Sequence, residues 1–235
     1  MEIKNKRASN KEALFYILNY TKIMIMNKPL KFVFTGGCYS GKTTSMNIIK
    51  KILEEKGKKV IYLDELIRRY DIGSIDDIRN NPNAYMDLQY EIITAKMESE
   101  IEADELINSN ICILIDRAVT DSLFYLTFYV SKNSLDEEHQ QKFIKLFNKL
   151  NSYLSETPNI YDYIFEFTPI KKLEEQDTFR PKNLKDFQHI EYEMIKKYNK
   201  IYYDNHPGFM TIDLNNIPLK DVENFWREKL EKIIK

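Results

Sequence analysis

The sequence predicts a three-layer α/β domain, with a mostly parallel five-stranded sheet, helices on both faces and a small lid. Three observations carry this. Five short apolar runs are spread along the chain with room for a helix between successive runs. The intervening segments show the three-to-four-residue apolar spacing of amphipathic helices. The polar residues able to do chemistry fall just beyond the runs, not within them. Strands joined through helices make right-handed crossovers and parallel sheets, and such sheets bind ligands beyond the carboxyl ends of their strands.

The first run, 30–35 (LKFVFT), ends at Gly36-Gly37 and reads as a buried strand. A helix over 43–56 follows, with Met46, Ile49, Ile52 and Leu53 on one face and Gly57 as its stop. The second strand is 59–63 (KVIYL). A long helix is predicted over 83–108, opened by Asn81-Pro82. The third strand, 111–115 (ICILI), is wholly apolar and so buried on both faces. Helices over 119–130 and 135–154 lead to the fourth strand, 163–167 (YIFEF). Residues 170–186 are charged and proline-punctuated and read as a loop or lid. A helix over 187–204, a fifth strand at 209–214 and a helix over 219–234 complete the order.

The chain has 235 residues, 43% of them hydrophobic, which suits one domain with a sizeable core. Lys and Arg total 35 against 36 Asp and Glu, so no basic excess points to bulk nucleic-acid binding. The two cysteines, Cys38 and Cys112, form neither a disulfide framework nor a zinc pattern, and a reducing, cytoplasmic setting is expected. Cys112 belongs to the core. The apolar stretch 13–26 is interrupted by Asn19, Tyr20, Thr21 and Lys22, too polar for a membrane span. No small-residue cleavage site follows it, so it does not read as a signal peptide. We read it as an amphipathic helix packed on the domain, with Met24 or Met26 as alternative starts. The expected division is an extension over 1–28 and a domain over 29–235, with its lid at about 170–186.

Gly36-Gly37-Cys38-Tyr39-Ser40-Gly41-Lys42-Thr43 matches the phosphate-loop pattern G-x-x-x-x-G-K-[ST], the Walker A motif, between a strand and a helix. Glycines let the backbone curl so that successive N–H groups converge on phosphate oxygens, and the following helix adds its positive end. Lys42 is placed to reach the β- and γ-phosphates of ATP, and the Thr43 hydroxyl to hold Mg²⁺. With Thr44, residues 36–43 form the expected nucleotide site. The guanine-reading Asn-Lys-x-Asp of GTPases is absent: Asn148-Lys149-Leu150-Asn151 lacks the acid. The third strand ends in Asp116-Arg117, not the paired acids of helicases and large ATPases.

These residues resemble the P-loop nucleoside and nucleotide kinases: thymidylate kinase, the deoxynucleoside kinases and the ATP-binding domain of nicotinamide riboside kinase. The resemblance covers about 30–215. It implies a P-loop NTPase fold and four further roles. After the second strand, Glu65 would accept the acceptor's hydroxyl proton, with Asp64 as the alternative, and Arg68 would lie near the phosphates. On the long helix, Gln89 would hydrogen-bond a base edge with Tyr85 on the same face. After the third strand, Asp116 would support Mg²⁺ and Arg117 would hold the acceptor or its phosphate, while Asp121 and Ser122 could instead cap the next helix. In the lid, Arg180 would close on the transferring phosphoryl group, assisted by Lys182 or Lys185. A homodimer is a further expectation from the resemblance.

The expected activity is ATP-dependent transfer of the γ-phosphoryl group to a nucleoside, nucleotide or nucleoside-like acceptor. A hydroxyl on a nucleic acid is the second reading, and a nucleotide-dependent regulatory ATPase the third.

Overall fold

The strands form a parallel sheet because each apolar run is followed by a helix that must cross back over it. The computed structural model describes residues 28–69, 78, 80–130, 135–156, 160–170 and 184–234. Its strands are β1 (Leu30–Thr35), β2 (Lys59–Leu63), β3 (Ile111–Asp116), β4 (Tyr163–Phe167) and β5 (Phe209–Ile212). Its α-helices are α1 (Lys42–Glu55), α2 (Pro82–Asp104), α3 (Val119–Val130), α4 (Glu137–Glu156), α5 (Leu184–Tyr203) and α6 (Val222–Ile233). The strand order is β2-β3-β1-β4-β5 and every pairing is parallel. Phe34 lies opposite Asp116 and Thr35 opposite Glu166, so the ends of β1, β3 and β4 are level.

Alternation along the strands divides the core in two. Phe32, Phe34, Cys112, Leu114, Phe165 and Phe167 face α1 and α6, where Met46, Ile49 and Trp226 are fully buried. Val33, Ile113, Ile115 and Ile164 face α2, α3 and α4. β3 is buried on both faces along its whole length, as its apolar run predicts.

Most elements match the sequence reading, with shifts at their ends. α2 stops at Asp104, not 108: the Glu105 N–H turns to the Glu102 carbonyl at 3.2 Å, and Asn108 then accepts the Asn110 N–H at 2.9 Å. β5 stops at Ile212, not 214: the Asp213 carboxylate accepts the Asn215 N–H at 3.0 Å and the Thr168 hydroxyl at 3.2 Å. Residues 219–221 form a 3₁₀ turn ahead of α6, and α5 starts at Leu184, not Phe187. The expected N-terminal extension, apart from residue 28, and residues 171–183 of the expected lid lie outside the described residues.

Candidate active site

The loop between β1 and α1 takes a shape that only certain residues allow. Gly36 has φ 123° and Gly41 φ 86°. A Cβ on Gly36 would stand 2.6 Å from the Phe167 carbonyl oxygen. The loop is held by its own lysine. Lys42 Nζ donates to the carbonyls of Gly36 at 2.8 Å and Gly37 at 2.6 Å, and to Ser40 Oγ at 3.2 Å. Burial pulls the Lys42 pKa down, and so does the Arg117 charge, while nearby carboxylates oppose both. Thr43 and Thr44 lie exposed in the first turn of α1.

Behind the lysine, β3 delivers Asp116 and Arg117. Asp116 is buried, and its Oδ1 has no hydrogen-bond partner among the described residues. Burial raises its pKa, and Glu65 adds to the rise. An orphaned buried carboxylate oxygen beside a phosphate loop fits a divalent cation, for which the Thr43 hydroxyl would be a second ligand. Among the described residues no group of three or more His, Cys, Asp or Glu could hold a metal on its own, so phosphate oxygens would complete such a site.

Arg117 is a non-glycine residue at φ 71°, a strained conformation that aims its side chain back over the loop. Its Nε donates to Glu65 Oε1 at 2.6 Å and its Nη1 to the Gly36 carbonyl at 3.3 Å. Asp121 Oδ2 stands 3.8 Å and Glu191 Oε1 3.6 Å from Nη1, and the Tyr125 ring lies 5.0 Å from the guanidinium carbon. Burial opposes the Arg117 charge, but Glu65, Tyr125, Glu191 and Asp121 outweigh it, so its pKa is held well above the usual range. The structure therefore brings Glu65, Lys42, Asp116 and Arg117 to one edge of the sheet. Asp64, the alternative acid, is exposed. Asp121 lies in the first turn of α3, but its carboxylate accepts the Thr35 hydroxyl and faces Arg117, a use different from helix capping.

On α2, Tyr85 is buried and its hydroxyl donates to the Tyr125 carbonyl at 2.9 Å. Gln89 is buried, and its amide makes no hydrogen bond among the described residues. Arg68 lies on the 3₁₀ helix Leu66–Arg69, and its side chain is outside the described residues, as are Arg180 and Lys182 entirely and the Lys185 side chain.

Sequence reasoning missed two features. The first is Glu191 on α5, which is fully buried. Its Oε2 accepts the Cys38 N–H at 2.7 Å and its Oε1 accepts the Tyr125 hydroxyl. Burial pushes its pKa up, but Arg117 and these hydrogen bonds outweigh that and the net shift is downward. The available signal was a helix face with residues four apart, Phe187, Glu191, Ile195 and Asn199, on which polar residues alternate with apolar ones. Asn199 donates to Thr35 Oγ1 at 3.1 Å and Glu166 Oε1 at 3.0 Å. The second is a groove of about 410 Å³ bounded by Gly41, Thr44, Ile170, Leu214, Asn215 and Ile217. It adjoins the loop on the side away from Arg117, where the chain leaves β4 and β5.

Comparison with known proteins agrees with this architecture. A family model described as an AAA domain matches residues 31–207. No curated protein matches the chain. Among solved structures, a NadR protein in complex with NR superposes with a TM-score of 0.60 and 17% identity, over 86% of this chain and 51% of that one. A deoxyadenosine kinase from M. mycoides with bound dATP gives 0.53 and 15%, over 86% and 99%. Thymidylate kinase from Candida albicans gives 0.50 and 17%, over 87% and 92%. The chain spans about half the length of the NadR chain. At these identities the likeness is one of fold. The family match runs from the first strand to beyond the helix that carries Glu191, and so takes in the phosphate loop and the carboxylates around Arg117. The chain therefore belongs to the AAA domain family, with a P-loop fold of nucleotide-kinase type.

Proposed function

We propose that residues 29–235 form a kinase that moves the γ-phosphoryl group of ATP to a nucleoside, nucleotide or nucleoside-like acceptor. The observation that carries this reading is the Glu65–Arg117 pair, 2.6 Å apart beside the phosphate loop. A switch ATPase needs the loop. It does not need a carboxylate held against a buried guanidinium where an acceptor would stand.

In this reading residues 36–44 bind the triphosphate, and the groove at Ile170 and Leu214 takes the donor's base. Mg²⁺, held by Thr43 and Asp116, would offset charge on the β- and γ-phosphates. Lys42 exchanges its bonds to the Gly36 and Gly37 carbonyls for phosphate oxygens. For a hydroxyl acceptor, the oxygen bonds to the γ-phosphorus, the bond to the β–γ bridging oxygen breaks, and ADP leaves with that electron pair. The hydroxyl proton goes to Glu65. Arg117 orients Glu65 through its Nε hydrogen bond, and Gln89 and Tyr85 contribute to the acceptor's base pocket. Arg68 and Arg180 would face the phosphates, Arg180 from the lid.

The reading is tested by supplying γ-labelled ATP and Mg²⁺ with nucleosides, nucleotides and hydroxymethylated DNA. Label on a small molecule is the expected result. Label on the DNA alone would move the acceptor to nucleic acid. Labelled inorganic phosphate as the sole product would leave a regulatory ATPase.

A further inference from the structure

Among the described residues, three carboxylates surround Arg117. Glu65 takes its Nε at 2.6 Å, and Glu191 and Asp121 stand 3.6 and 3.8 Å from Nη1. Nη2 is buried and has no partner among the described residues. Among the described residues the other cations at this edge are Lys42, whose Nζ holds the carbonyls of Gly36 and Gly37, and Lys96. Lys96 is committed to the Asp116 carbonyl at 3.3 Å and to Glu100 at 3.3 Å.

Glu191 is the most firmly fixed of these carboxylates. One oxygen accepts the Cys38 N–H, the other the Tyr125 hydroxyl. One turn earlier on α5, Gln188 Nε2 donates to the Cys38 carbonyl at 3.2 Å. The helix thus holds both polar groups of Cys38, and the carboxylate cannot swing away from Arg117. Gly37 permits this approach: a Cβ there would stand 3.0 Å from Glu191 Oε2.

We propose that Glu191 is a specificity-determining residue that makes the acceptor end of the site take an uncharged or cationic alcohol and reject a phosphate monoester. The inference rests on the kinase reading and narrows its acceptor. An alcohol needs one acceptor for its proton and one donor for its oxygen, and Glu65 and Arg117 Nη2 supply them. A phosphate monoester brings about two negative charges and needs several donors. Bound at Arg117, it would stand near Glu65 and Glu191, carboxylates that are themselves poorly solvated, so that like charges repel strongly. To bind it, Arg117 would have to abandon carboxylates that are then buried and unpaired. Exclusion by fixed like charge is a recurrent source of specificity.

The test compares transfer from labelled ATP to a panel of nucleosides and to their 5′-monophosphates, in the wild type and in Glu191→Gln. The wild type should favour nucleosides by about a hundredfold or more in kcat/KM. Glu191→Gln keeps the volume and removes the charge, so the preference should shrink by about tenfold or more, mainly through a lower KM for the monophosphates. Should the variant fail to fold, the wild-type preference still decides. A wild type that phosphorylates monophosphates as well as nucleosides would overturn the inference and leave the kinase reading standing. A Glu191→Gln variant that loses both activities equally would also overturn it and reduce Glu191 to a structural role. Transfer to neither panel, with no thermal protection by either, would remove the kinase reading and the inference with it.

Discussion

Arg117, on the turn after β3, and Glu65, on the turn after β2, meet at 2.6 Å across 52 residues of sequence. Glu65→Gln keeps the size and removes the carboxylate. ATP affinity should be retained while transfer falls by roughly 10² to 10⁴. Isothermal titration with a non-hydrolysable ATP analogue separates the two effects. Asp64→Asn should leave the rate nearly unchanged, because Asp64 is exposed. The reverse pattern would move the base by one residue.

Lys42 holds the loop carbonyls of Gly36 and Gly37 and is placed to exchange them for phosphate. Lys42→Ala should cut turnover by about a hundredfold or more. Stability without nucleotide should change by about 1 kcal/mol at most, because the lost hydrogen bonds are offset by removing a buried charge. Turnover within a few fold of wild type would show that the phosphates lie elsewhere.

The candidate site was legible in the sequence wherever a motif is local. Residues 36–43 stand out by spacing, and Glu65 and Asp116-Arg117 follow from the resemblance to the kinases, at positions just after apolar runs. What joins them was not readable. The contact between Cys38 and Glu191 spans 153 residues, and it depends on how α5 packs against the loop. Glu191 sits on an otherwise ordinary amphipathic helix, whose apolar spacing hides a buried acid. The groove beside Gly41 was hidden because the fifth strand was read through to Leu214, so the turn at Asp213 that shapes its wall went unseen. The order of the strands was equally silent, since parallel crossovers permit several.

Gly36 must stay glycine. Its φ of 123° and the 2.6 Å approach of the Phe167 carbonyl to a notional Cβ leave no room for a side chain. Gly36→Ala should destabilise the fold by about 2 kcal/mol or more. Urea unfolding measures this directly, and an unchanged midpoint would mean that the loop adopts another shape.

Asp121 carries a pH signature. Burial pushes its carboxyl up to about 7, with Arg117 and the Thr35 hydroxyl opposing the rise. A folded-state pKa above the usual 3.8 means that the folded protein binds this proton more tightly than the unfolded chain. Stability from this group is therefore full below the unfolded value and is lost as pH rises toward 7. Asp121→Asn does not titrate. The stability difference between wild type and variant should shift in the variant's favour between pH 5 and pH 8. A difference constant over that range would show an ordinary carboxyl.

The account stands or falls on whether ATP consumption depends on an acceptor. The direct measurement is ADP production by the purified protein with Mg²⁺–ATP, with and without a nucleoside panel, alongside the phosphorylated product. We expect the correct nucleoside to raise ADP production at least about tenfold, with one acceptor phosphorylated per ADP released. Arg180→Ala should lower that acceptor-dependent rate far more than it weakens ATP binding, because a lid guanidinium acts mainly on charge in the transition state. Slow ATP hydrolysis, equal with and without acceptors and indifferent to Glu65→Gln and Arg180→Ala, would contradict the kinase reading.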